Sequence, residues 1–122
     1  LDDKILVDMY SVKIRKSVMI AHSLPNPFFG PAQNLHGATY VVDAEFKTKT
    51  LNQYNVVIDI GEAHKILEQV LQPLAYKNLD ELEIFEGQLT TTEFLAKYIH
   101  NKIAKACTAY FAGTLKITLG ET

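Results

Sequence analysis

The stretch TYVVDAEFK, residues 39–47, decides the fold. Tyr40, Val42, Ala44 and Phe46 fall on one face of an extended chain, and Val41, Asp43 and Glu45 on the other. A period of two marks a strand with one face against a core. Toward the N-terminus, Ser11 to His22 alternates more loosely and is β-branched at Val12, Ile14, Val18 and Ile20, with the basic run Arg15–Ser17 predicting a bend. The intervening PNPFFGPAQN (25–34) holds three prolines and a glycine and reads as a loop, so the two strands form a hairpin with a long connection. On the C-terminal side, Val56–Ile60 is a short apolar run leading into residues 61–76. There Ala63, Ile66, Leu67, Val70, Leu71 and Leu74 recur with the spacing of a helix apolar on one side. Pro73 should end or kink that helix. Thr90 and Glu93 have capping-box spacing before a second helix that carries Phe94, Leu95, Tyr98, Ile99 and Ile103 to about Ala106. Leu115, Ile117 and Leu119 alternate in a final strand. The order β-β-α-α-β predicts an α+β fold, an antiparallel sheet with both helices on one face.

Composition narrows the function. The 122 residues suffice for one domain without a stabilising disulfide or metal. Twelve Lys and Arg against 14 Asp and Glu leave a net charge of −2, which supplies no broad positive field for nucleic acid. Cys107 is the single cysteine and has no internal disulfide partner, and no apolar run is long enough to span a membrane, so a cytoplasmic protein is expected. The chain opens LDDKILVD with no methionine before Met9. Residues 1–9 therefore read as an N-terminal extension or an expression remnant, and residues 10–122 as the domain.

Five words occur in one order: NLHGATY (34–40), VVIDIGEAHKIL (56–67), PLAYKNLDE (73–81), TTTEFLAKYI (90–99) and LKITLGET (115–122). Together they resemble the 6-pyruvoyl tetrahydropterin synthase and 6-carboxytetrahydropterin synthase family over about Tyr10–Thr122. The resemblance implies the tunnelling fold, a β-β-α-α-β-β unit whose sheets join into a barrel, usually as a hexamer with sites between subunits. It also implies a last strand beyond Thr122 that this sequence lacks.

The family's zinc is held by three histidines, one ending the first strand and two from an H-G-H word on the second. By that resemblance His22 and His36 are ligands, and the third position is Ala38, whose methyl cannot coordinate. The resemblance also implies a cysteine thiol in the family's 6-carboxy branch at the position of Ala32 and a partner Asp-His relay at Ala75 and Tyr76, so these residues offer no standard acid-base set. A tyrosine phenol, as at Tyr76, is a poor base at neutral pH. The substrate-holding end is retained. Glu121 matches the carboxylate that accepts from ring N–H groups of the pterin, and Thr91 and Thr92 match positions that meet the heterocycle. Glu121 shares parity with Leu115, Ile117 and Leu119 and is expected on the buried face. His64 and His100 read as solvated, Cys107 as a half-buried helix residue, and Asp80, Glu81, Glu83 and Glu86 as a solvated acidic run.

The resemblance thus implies a protein of pterin or 7-deazaguanine metabolism that binds a pterin- or purine-like heterocycle at a subunit interface, with zinc weak or absent and without the standard lyase chemistry. Two alternatives stand beside it. One is an active zinc-dependent lyase with a rearranged set using His22, His36 and Tyr76, and the other a structural oligomer that keeps only the fold.

Overall fold

In the computed structural model, which describes residues 9–122, two long strands come first, β1 (Tyr10–His22) and β2 (His36–Thr48). Most of the expected N-terminal extension, residues 1–8, lies outside the described residues. The strands pair antiparallel along their full length, from Tyr10 opposite Thr48 to His22 opposite His36. The last strand, β3 (Thr114–Glu121), pairs with the other edge of β2, from Lys47 opposite Thr114 to Tyr40 opposite Glu121. The sheet order is β1-β2-β3. Its inner face carries Tyr40, Val42, Ala44 and Phe46, all buried as the alternation predicts.

The bend expected at Arg15–Ser17 does not occur. β1 runs through because Arg15 lies on the outer face, where Nε donates to Asp43 Oδ1 at 2.8 Å and Nη2 to Asp43 Oδ2 at 3.1 Å across the pair. The guanidinium holds the Asp43 carboxyl below its ordinary value. A basic run is thus compatible with a regular strand when its charges have partners across the sheet.

Two helices cover the inner face. α1 (Ile60–Leu71) starts at Asp59, whose Oδ1 accepts from the N–H groups of Gly61 and Glu62 at 2.8 and 3.3 Å. It ends five residues earlier than the apolar period suggests. Pro73 has no N–H to continue the ladder, and the chain goes on to Tyr76 in turns that still bury Leu74. α2 (Thr92–Cys107) buries Leu95, Ile99, Ile103 and Cys107, so the cysteine is fully rather than half buried. Phe46 meets Phe111 edge to face at 5.3 Å, closing the core at the far end of β2. Of the Val56–Ile60 run, the first four residues form a loop that buries Val57 and Ile58, and Ile60 opens α1. His64 is exposed as expected, but His100 is half-buried, and its Nε2–H donates to the Leu115 carbonyl at 3.1 Å. That bond ties α2 to β3. No helix among the described residues is long and apolar enough to cross a membrane.

The turn into β3 tolerates no side chain at Gly113. A Cβ there would overlap the carbonyl oxygen of Lys47 and lie 2.7 Å from both Phe111 Cζ and Thr48 Cγ2. Gly113→Ala should therefore cost about 1–3 kcal/mol, lowering the Tm by roughly 3–10 °C. Gly120→Ala, with nothing within 4 Å of the added carbon, should stay within about 0.5 kcal/mol of the parent. Scanning calorimetry of the two variants checks this packing, and equal Tm values would contradict it.

Candidate functional site

The hairpin register builds the site. His22 ends β1, His36 starts β2, and the two are direct cross-strand partners, so their side chains share the inner face. Their ring centroids lie 4.7 Å apart at 62°. Two residues further along β2 is Ala38, opposite Ile20, and two further again is Tyr40, opposite Val18 on one side and Glu121 on the other. A cavity of about 250 Å³ follows this column and is lined by His22, His36, Tyr40, Thr91, Thr92 and Glu121 among others. A larger cavity of about 750 Å³ lies near Tyr10, Tyr54 and Tyr110. Its carboxylate, Asp59, is committed to the α1 cap.

Each imidazole is held through Nδ1. His36 Nδ1 is 2.8 Å from the carbonyl oxygen of Asn34, which can only accept, so Nδ1 carries the proton. His22 Nδ1 is 3.0 Å from the hydroxyl of Thr90, a residue as buried as His22 itself. Among the described residues neither Nε2 has a hydrogen-bond partner. Burial, and then the adjacent His36 ring, push His22 below the ordinary histidine value, while Thr90, Asp80 and Glu121 act in the opposite direction. His22 is therefore neutral at physiological pH. Asp80 braces the same corner, since its carboxylate accepts from the Ser23 N–H at 3.2 Å and the Ser23 hydroxyl at 2.6 Å.

The opposite wall is acidic. Glu121 and Glu93 both line the cavity near Tyr40. The phenol is pushed above its ordinary value mainly by burial, with a Thr92 hydrogen bond opposing and both carboxylates adding to the rise. The Thr92 hydroxyl donates to the Tyr40 oxygen at 3.4 Å, which leaves the phenol proton for another acceptor. One end of the cavity thus offers two imidazoles, and the other offers carboxylates with hydroxyls. A ligand with N–H donors on one edge and a hydrogen-bonding substituent on the other would fit this layout.

The structure gathers most of the residues singled out in the sequence. His22, His36, Thr91, Thr92 and Glu121 line the cavity together, and so does Ala32, which presents only a methyl. Glu121 keeps the expected parity but is exposed, because it is the last residue of β3. Ala75 and Tyr76 lie elsewhere, along a groove of about 450 Å³ with Lys16, Met19 and Thr39. Tyr76 is exposed at φ 60°, held there by its N–H donating to the Met19 carbonyl at 2.7 Å. Within one chain Ala32 and the Ala75–Tyr76 pair thus line different cavities.

The helix cap differs from the capping-box expectation by one residue. Thr91 is the N-cap, its hydroxyl accepting from the Phe94 N–H at 3.1 Å, which frees the Thr90 hydroxyl for His22. Thr90, Tyr40, Glu93 and Asp80 are site residues that the sequence reading passed over. Tyr40 carried a usable signal, its even spacing from His36 on a strand. Asp80 belongs to the acidic run expected to be solvated, and it alone of that run bonds to the corner beside His22.

The sequence profile described as 6-pyruvoyl tetrahydropterin synthase matches residues 11–122. A 6-pyruvoyl tetrahydrobiopterin synthase from Poecilia reticulata is 33% identical over 84 residues, a match covering 67% of this chain and 57% of the relative's length. Among solved structures, the 6-pyruvoyl tetrahydropterin synthase of Caenorhabditis elegans superposes with a TM-score of 0.81 at 23% identity, covering 93% of this chain and 89% of that one. The Plasmodium falciparum 6-pyruvoyl tetrahydropterin synthase gives 0.70 at 14% identity, covering 95% and 100%. At such identities the two structures speak for the fold alone.

The zinc implied by the resemblance does not fit the residues present. A catalytic zinc takes three protein ligands, and no group of three His, Cys, Asp or Glu among the described residues is arranged to hold a metal. Two imidazoles converge, and the next inward position on β2 is the buried methyl of Ala38. Zinc should accordingly be substoichiometric in protein purified without chelator. Ala38→His should raise zinc affinity by more than the roughly 10–100-fold that an outer hydrogen-bond partner contributes. Plasma emission analysis and competition with a chromogenic chelator measure both, and tight stoichiometric zinc in the parent chain would contradict the reading.

Proposed function

The chain belongs to the 6-pyruvoyl tetrahydropterin synthase family, and on that premise we propose that it binds a pterin- or purine-like heterocycle without carrying out the standard lyase chemistry. The observation that carries the proposal is the composition of the 250 Å³ cavity. Its acidic end carries Glu121, Thr91 and Thr92, whereas Ala32 in its wall, and the buried Ala38 between His36 and Tyr40 on β2, present methyl groups where the resemblance implies a thiol and a third metal ligand. Glu121 accepts from the amidine-like N–H edge of the ring, and the Tyr40 phenol proton and Thr92 hydroxyl lie beside it. A general acid or base must reach its proton. Ala75 offers no titratable group, and Tyr76 faces the separate groove along Met19 and Thr39.

The same reading includes a homo-oligomer, a hexamer by the family's habit, located in the cytoplasm. What supports assembly is the three-stranded sheet, whose outer strands β1 and β3 each have one strand edge unpaired among the described residues. Such edges are ordinarily covered, and a barrel formed with neighbouring subunits covers them.

Binding and chemistry are tested separately. Calorimetric titration with neopterin and guanine should show binding by the parent chain. Glu121→Gln keeps the shape but removes the charge, and should weaken binding about 10–100-fold, the equivalent of roughly 1.5–3 kcal/mol for a hydrogen bond to a charged group. Incubation with dihydroneopterin triphosphate should give the 6-carboxy or 6-pyruvoyl product at least about 100-fold more slowly than an active family member. Robust turnover would establish the rearranged zinc lyase instead, and failure to bind any heterocycle would leave a structural oligomer.

A further inference from the structure

The cavity of about 750 Å³ lies at the other end of the hairpin from the two histidines, where β1 begins and β2 has ended. Five of the eleven large hydrophobic side chains that stand exposed among the described residues, Tyr10, Tyr54, Val56, Ile60 and Tyr110, line this one cavity. We propose that it is a second binding site, which takes an organic ammonium ion with an apolar body, held by the three tyrosine rings and the carboxylate of Asp59. The site is separate from the heterocycle cavity and stands whether or not that cavity is occupied.

The volume falls within the roughly 300–1,000 Å³ of small-molecule sites, and an apolar wall with a few polar groups is their usual make-up. The loop that carries Tyr54 is closed on itself. Asn52 Oδ1 accepts from the N–H groups of Tyr54 at 2.8 Å and Val56 at 3.3 Å, the Asn52 N–H donates to the Val56 carbonyl at 3.0 Å, and Asn55 turns the chain at φ 63°. Tyr54 is therefore placed by its backbone even though its ring is 75% exposed. Among the described residues none of the three tyrosines pairs with another aromatic ring, and the cation that sits over a ring, Lys102, is on Tyr98. Their faces are left for a ligand, and the negative face of a ring attracts a cation. Charge selects the same class. No Lys, Arg or His lines this cavity, and its charged residue is Asp59. The start of α1 would alone favour an anion, but Asp59 Oδ1 already takes the Gly61 and Glu62 N–H groups, and Glu62 adds a second carboxylate to the first turn. Asp59 Oδ2 has no hydrogen-bond partner among the described residues. Burial, and then Glu62, Cys107 and Asp59, push the Tyr110 phenol above its ordinary value, in keeping with a negative field there. Lys47 and Lys49 belong to an adjoining cavity of about 450 Å³ on the far side of Tyr110 and Leu51. A neutral aromatic would leave Asp59 unused, and an anion would be set against it.

The test is an NMR titration of the isotope-labelled full chain with three probes of similar size: benzyltrimethylammonium, benzyl alcohol and benzenesulfonate. The ammonium ion should bind about 10-fold more tightly than either of the others. It should shift the amide signals of Asn55 and Gly61 and leave that of Gly37, beside His36, in place. Tyr54→Leu removes the ring and should weaken the ammonium ion about 3–10-fold, whereas Tyr54→Phe, which keeps the ring face, should bind as the parent does. Asp59→Asn preserves the cap, since Asn and Asp serve equally there, and removes the charge. It should weaken the ammonium ion about 2–5-fold and leave benzyl alcohol unaffected. The amide spectrum of each variant reports that it is folded. Equal affinity for the three probes, tightest binding of the sulfonate, shifts confined to the histidine end, or an ammonium preference that survives both Tyr54→Leu and Asp59→Asn would each overturn the inference. Absence of binding by the ammonium ion at millimolar concentration would overturn it as well, and would leave the heterocycle reading untouched.

Discussion

The pairing of β1 with β2 in a single register, from Tyr10 opposite Thr48 to His22 opposite His36, is the constraint on which the site depends. A slip of one residue would turn every inward side chain of one strand outward. His22 and His36 would then face opposite sides of the sheet, and Tyr40 would leave the core. The register is held from both faces. Inside, Tyr40, Val42, Ala44 and Phe46 are buried under the helices. Outside, two hydrogen bonds join the direct partners Arg15 and Asp43, and the Ser11 hydroxyl donates diagonally to Glu45, two residues along β2 from its own partner Lys47.

The second layer of control is the segment before α2. Three consecutive threonines divide their hydroxyls among three tasks: Thr90 on His22, Thr91 on the helix N-terminus, and Thr92 on Tyr40. Each is fixed by the direction in which the backbone presents it as a loop enters the helix through the extended Thr91. The first turn of α2 therefore connects to both ends of the cavity, the imidazole end through Thr90 and the carboxylate end through Thr92. Asp80 adds a brace at the corner after β1 by holding Ser23. The site is thus assembled by hydrogen bonds between β1, β2 and the loops that follow α1.

The electrostatic layout sets what each end of the cavity can offer a ligand. Glu121 and Glu93 keep one wall negative, and His22 stays neutral because burial and the neighbouring ring outweigh the acidic groups around it. The imidazole end therefore offers hydrogen bonds rather than charge. The buried methyl of Ala38 beside the two imidazoles leaves no polar group there in need of a partner. Ala32 likewise contributes an apolar, unreactive part of the cavity wall.

Local pattern determined much of this protein. The alternation at residues 39–47 set the inward face of β2, the apolar period placed α1, and the five words identified the family and pointed to His22, His36, Thr91, Thr92 and Glu121, which the fold then brought to one cavity. Such features are legible because strand and helix periods and backbone spacing act over a few residues. Other features required the tertiary structure. The choice between Thr90 and Thr91 as cap turned on a bond to a histidine 68 residues away. The cross-strand meeting of Tyr40 with Glu121 joins positions 81 residues apart, Arg15 kept β1 straight through a partner on another strand, and Tyr76 came to lie outside the cavity despite its place in the family words. In each case the deciding partner is distant in sequence, and no local period encodes where a folded chain will bring it.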